Sequence, residues 1–97
     1  MDEALEDLRA ELHAIDGEFL DVLRRRLECC VRIGEHKRVH GVPMMQPGRI
    51  GIVQDRAAKY AAMHGIDSAF LRRLYEMVIA ETCRLEDAVI EGKRPLR

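Results

Sequence analysis

An apolar stripe interrupted once, by an arginine, constrains this chain more than any other feature. Leu5, Leu8, Leu12, Ile15, Phe19, Val22, Arg26, Cys29 and Ile33 follow one another at steps of three and four residues. Such spacing is the seam of a helix packed along its length against other helices. The run from Asp2 or Glu3 to Arg38 contains no proline. It therefore predicts one helix roughly 50 Å long, at about 1.5 Å per residue. A chain of 97 residues is too short to cover such a rod alone. The expected architecture is all-α, a single domain over residues 1–97. Two copies are expected to lay their long helices side by side as a homodimer, with shorter helices wrapped around them.

The rest of the chain supplies those shorter helices. Gly41-Val42-Pro43 stops the first helix, and a short loop runs to Pro47-Gly48. A second helix is predicted from Arg49 to His64, with Ile50, Val53, Ala57, Tyr60 and Ala61 on its apolar face and Gly65 at its close. Asp67 or Ser68 caps a third helix reaching to about Glu91. Its inward residues are Leu71, Leu74, Tyr75, Val78, Thr82, Leu85 and Val89.

Composition narrows the function classes. Charged residues make up 34% of the chain but the net charge is only -1, which gives no broad attraction to nucleic acid or membranes. Two Tyr, two Phe and no Trp leave little for stacking on bases or sugars. Cys29 and Cys30 diverge by about 100° around a helix and make poor disulfide partners. With Cys83 they read as reduced core residues, which points to the cytoplasm. No apolar run approaches the roughly 20 residues of a membrane span, and the acidic, periodic N-terminus does not read as a signal peptide. The five methionines read as core and loop packing.

Arg26 is the chemical clue. A guanidinium in a packed seam must meet an anion or bear a heavy desolvation penalty. Lys37 lies 11 residues further, about 16 Å along the helix, so two long side chains reaching toward each other can clamp a small polyanion. A structural ion pair with a glutamate is the plainer alternative. Arg9, about 25 Å before Arg26, cannot share a compact ligand with it in one chain, but can approach the Arg26 of a partner. Arg49 opens the second helix, where backbone amides also favour an anion. Thr82 and Glu86, one turn apart, put a hydroxyl and a carboxyl into the third helix's apolar stripe. Their plainer roles are a bond from Thr82 to its own helix and an ion pair for Glu86. The four histidines show no metal-ligand spacing and read as surface residues, and no phosphate loop, nucleophile elbow or triad is present. Neither metal nor cofactor is expected.

Leu8-Arg9 with Ile15-Asp16, Arg24-Arg25-Arg26, Gly34, Lys37, Pro43, Arg49 and the Thr82/Glu86 pair together resemble the all-helical chorismate mutase family, type II. The resemblance covers nearly the whole chain. It implies an intertwined dimer of three-helix protomers with two equivalent sites, each borrowing an arginine from the partner. On this resemblance, Arg26 and the partner's Arg9 hold the carboxylates of a dicarboxylate substrate, with Arg49 and Thr82 assisting. Lys37 and Glu86 flank the ether oxygen whose bond breaks. The pericyclic rearrangement needs no nucleophile, base or metal. It needs the reactive conformer held and the charge growing on the ether oxygen stabilised.

The sequence departs from the common family pattern at three positions. Glu86 replaces a glutamine found in many members, and must carry a proton to donate a hydrogen bond there. Gln46 and Ile50 stand where members acting on chorismate often carry acids near the C4 hydroxyl. An altered C4 contact suggests an altered substrate. The segments Met45–Arg49 and Glu81–Asp87 look like a secondary-metabolism branch that includes mutases of 4-amino-4-deoxychorismate, which is favoured slightly over chorismate. Two competing readings are an isochorismate pyruvate lyase and a non-catalytic helical dimer that senses a dicarboxylate. Members of the lyase group tend to carry glutamine at the Glu86 position. A plain coiled-coil adaptor leaves Arg26 and Glu86 as unexplained costs.

Overall fold

The computed structural model describes residues 2–44 and 48–93. Three helices follow in order: α1 (Glu3–His40), α2 (Arg49–His64) and α3 (Ser68–Ile90). No strand occurs among the described residues. Asp2 starts α1 by accepting the Leu5 amide on its carboxylate at 3.1 Å. Glu3 and Glu6 in the first turn and Lys37, Arg38 and His40 in the last complement the helix dipole. The helix runs two residues past its predicted end at Arg38, because nothing disfavours helical backbone before Gly41. His40, one of the two added residues, brings its ring to 4.2 Å from that of His36, tilted by 40°. Gly65 ends α2 in left-handed backbone at φ 68°, which a side chain would resist. Asp67 caps α3 by accepting the Phe70 amide at 3.2 Å.

The radius of gyration is 17.2 Å, whereas a compact domain of this length has one of about 12.5 Å. The cause is α1. Its 38 residues extend along a molecule 59 Å in longest dimension. α3 packs against α1 and against α2. Every residue from Asp2 to Val22 is exposed, so the N-terminal half of α1 projects alone. The predicted seam is thus uncovered there: Leu8 is 61% exposed, Leu12 57% and Phe19 54%.

In the C-terminal half the packed face is turned from the predicted stripe. Cys30 and Gly34 are buried, while Cys29 and Ile33 are exposed. A straight helix drifts about 20° per heptad from a 3.5-residue repeat, so the steps of four from Arg26 through Cys30 to Gly34 face α3. The reading of all three cysteines as core residues is therefore wrong for Cys29 and too strong for the half-buried Cys83. The methionine reading also fails at Met63 and Met77, which are largely exposed. Ile50 and Tyr60, placed on the inner face of α2, are exposed too. Tyr60 instead lies against the His64 ring at 4.1 Å. The buried apolar core is small, comprising Cys30, Ala57, Ala61, Leu85 and Val89. All four histidines are exposed, as expected.

Candidate functional site

Two polar clusters bridge α1 and α3, their cations about three turns apart on α1 and their α3 partners about one turn apart. In the first, Arg26 donates from Nη1 to Oγ1 of Thr82 at 2.7 Å, and the Cys30 thiol lies 3.5 Å from the same oxygen. Thr82 donates its own proton to the Val78 carbonyl at 2.9 Å, the within-helix bond foreseen for it. In the second, Lys37 Nζ sits 2.7 Å from Oε1 of Glu86, the ion pair foreseen as the plainer role of Glu86. The same ammonium donates to the Met44 carbonyl at 2.7 Å. The side chains of Lys37 and Glu86 are only 14% and 7% exposed. Removing one partner of such a pair costs about 3–5 kcal/mol, because the other charge stays buried.

Between these clusters lies a cavity of about 250 Å³. Arg26, Lys37, Arg49, Ile50, Thr82 and Glu86 all line it, so six of the eight predicted site residues converge on one space. Gln46 lies outside the described residues. Arg9 is not at the cavity. It is exposed on the projecting half of α1 and pairs with Glu6 at 3.2 Å. Helix geometry explains how Arg26 is singled out from Arg24 and Arg25. Arg24 points to solvent, bridging Asp21 at 2.7 Å and Glu28 at 3.0 Å, while Arg26 turns toward α3.

The remaining wall is Cys30, Ile33, Met44, Val53, Ile79 and Cys83. Ile79 was missed in the sequence. Its signal is a second stripe on α3, Ile79, Cys83 and Glu86, displaced one residue from Val78, Thr82 and Leu85. Burial, then the nearby carboxylates of Glu86 and Asp87, push the Cys83 thiol above its ordinary range. Cations on an apolar wall suit a small organic polyanion, since the low dielectric strengthens each charge contact. Two further hollows flank Arg26. One, with Phe19, Leu23, Leu74 and Tyr75 in its wall, is strongly apolar. The other includes Arg49, Arg56, Tyr60 and Leu71.

Fold and cavity together define an all-helical protein whose cations, Arg26 and Lys37 half-buried and Arg49 exposed, face a metabolite-sized space. The chorismate mutase type II family profile matches residues 8–87. The chain belongs to that family and is an isomerase of the chorismate mutase type. It is 58% identical over 86 residues to the 4-amino-4-deoxychorismate mutase of Streptomyces venezuelae, covering 89% of this chain and 84% of the relative. It is 61% identical over 93 residues to the protein of the same name from Streptomyces pristinaespiralis, covering 95% and 72%. A chorismate mutase of Methanocaldococcus jannaschii is 24% identical over 91 residues, covering 94% and 92%. Among the described residues no helix is long and apolar enough to cross a membrane.

Proposed function

We propose that this chain rearranges 4-amino-4-deoxychorismate to the 4-amino analogue of prephenate, acting as a homodimer with shared sites. The observation that carries the reading is the convergence of Arg26, Lys37 and Arg49 on one cavity with Thr82 and Glu86. Two relatives near 60% identity, both bearing the 4-amino-4-deoxychorismate mutase name, support the substrate.

In this mechanism Arg26 and Arg49 grip carboxylates of the bound substrate, and Thr82 holds Arg26 in place. The grip selects the conformer in which the enolpyruvyl terminus lies over the ring, converting an entropic cost of reaction into one of binding. As the C–O ether bond lengthens and the new C–C bond forms, negative charge gathers on the ether oxygen. Lys37 donates to it, and so does Glu86 when its carboxyl carries a proton. An ammonium has three N–H groups, and Glu86 and the Met44 carbonyl accept only two of those on Lys37, which leaves one for the ether oxygen. No atom leaves and no electrons are exchanged with another reactant.

The dimer completes the site. The bare half of α1 carries a full apolar seam, which a second copy in antiparallel register covers. That register brings the partner's Arg9 toward Arg26, supplying the missing cation. A 97-residue single domain and a cytoplasmic setting accompany this reading.

Product identification tests it. Purified protein is incubated with 4-amino-4-deoxychorismate and products are followed by NMR and mass spectrometry. A rearranged isomer of unchanged mass is expected. Release of pyruvate would mean a lyase, and unchanged substrate would mean a sensing module.

A further inference from the structure

Gly34 lies where α1 comes close to α3, between Arg26 and Lys37 along the helix. It is buried, one turn before Lys37 and two turns after Arg26. A Cβ on Gly34 would come 3.2 Å from the Cα of Glu86, 3.2 Å from the Cβ of Val89 and 3.5 Å from the Glu86 carbonyl oxygen. Two of those three neighbours are backbone atoms of the residue that pairs with Lys37, and backbone cannot swing aside as a side chain does. Gly17, on the same helix, would meet nothing within 4 Å. The contrast is informative, because glycine weakens a helix interior wherever it stands. At Gly34 that cost has a counterpart in contact.

We propose that Gly34 is a positioning residue: its missing side chain sets the α1–α3 separation that holds Glu86 and Lys37 at the reacting bond. The inference rests on the mutase reading above. A methyl group here displaces the Glu86 backbone by a few tenths of an ångström. Helical packing transmits that displacement, since interiors are close-packed and shift rather than compress. Arg26 lies two turns away and keeps its grip on the carboxylates. The two effects therefore separate in kinetics: placement at the ether oxygen governs kcat, while the grip governs KM.

The experiment compares Gly34→Ala with Gly17→Ala on the chosen substrate, alongside helicity and melting temperature. For Gly34→Ala, kcat is expected to fall about tenfold with KM within twofold, because small misplacements at a reacting centre are costly. Melting temperature stays near that of the native protein, as alanine's better helix propensity offsets the tight contact. Gly17→Ala leaves both kinetic constants unchanged. The same Gly34→Ala step made in a Glu86→Ala background costs less than about twofold in kcat, since the group it misplaces is gone. An unchanged kcat in Gly34→Ala overturns the inference. So does loss of the helical fold, or an equal cost in the Glu86→Ala background. An inactive native protein fails the mutase reading itself, and is distinguished from these outcomes by the unmutated control.

Discussion

Arg26 and Thr82 form a 2.7 Å hydrogen bond across α1 and α3, and the hydroxyl passes its own proton to the Val78 carbonyl. Thr82 therefore serves Arg26 as an acceptor and has no second proton to offer a ligand. Thr82→Val removes that acceptor and frees the guanidinium to wander. A hydrogen bond to a charged group is worth about 1.5–3 kcal/mol, so kcat/KM is expected to fall about tenfold to a hundredfold. Thr82→Ser restores the oxygen and stays within about threefold of the native value. Steady-state kinetics on both variants checks this. A loss in Thr82→Ser with little loss in Thr82→Val would show that the methyl group, not the hydroxyl, matters.

The Lys37–Glu86 pair predicts the effect of a permanent donor at position 86. Glu86 accepts from Lys37 at 2.7 Å, and an amide in its place can donate to the ether oxygen alongside Lys37. In Glu86→Gln, kcat is therefore expected to match or exceed the native value, whereas Glu86→Ala, which leaves nothing to donate, is expected to lose about a hundredfold. A kcat in Glu86→Gln as low as that of Glu86→Ala, read by steady-state kinetics, would contradict this role of Glu86.

The bare half of α1 leads to a complementation test. Arg9→Ala and Arg26→Ala are each expected to lose nearly all activity, since each site is proposed to take one arginine from each chain. Unfolding and refolding the two variants together forms mixed dimers in which one of two sites is whole. About a quarter of native activity is then expected, from half the dimers each with half their sites intact. Absence of recovery, with a dimer seen by light scattering, would rule out a shared site.

The cysteines respond to alkylation in a set order. Exposed Cys29 is expected to react first. Cys83 is held protonated by burial and by the carboxylates of Glu86 and Asp87, and thiolate is the reactive form. Cys83 is thus slow at neutral pH and accelerates only in alkali. Peptide mass spectrometry after timed iodoacetamide treatment reads the order, and labelling of Cys83 ahead of Cys29 would contradict it.

What the sequence reveals here is governed by which interactions are local. Helix extents followed from caps and breakers: Asp67 and Gly65 act within a turn of where they stand, and α2 and the start of α3 fell where predicted. Arg26 stood out because a permanent charge in an apolar seam has no local explanation. Which flank of α1 faces α3 was less legible. Heptad drift accumulates over 38 residues, and by Cys29 and Cys30 it had exchanged the outer and inner thiol. Ile79 was hidden for a related reason, since a cavity wall draws on the edge of a helix rather than its centre. Gly34 was visible as a residue but not as a contact, because its significance lies in the Glu86 backbone, 52 residues away.

Competition between two substrates tests whether 4-amino-4-deoxychorismate is the substrate. The native protein is supplied with chorismate and 4-amino-4-deoxychorismate together, and kcat/KM is obtained for each from the rates of product formation. The amino compound is expected to be preferred by at least about tenfold, a difference of about 1.4 kcal/mol in transition-state binding. Equal use, or preference for chorismate, would contradict the 4-amino-4-deoxychorismate reading.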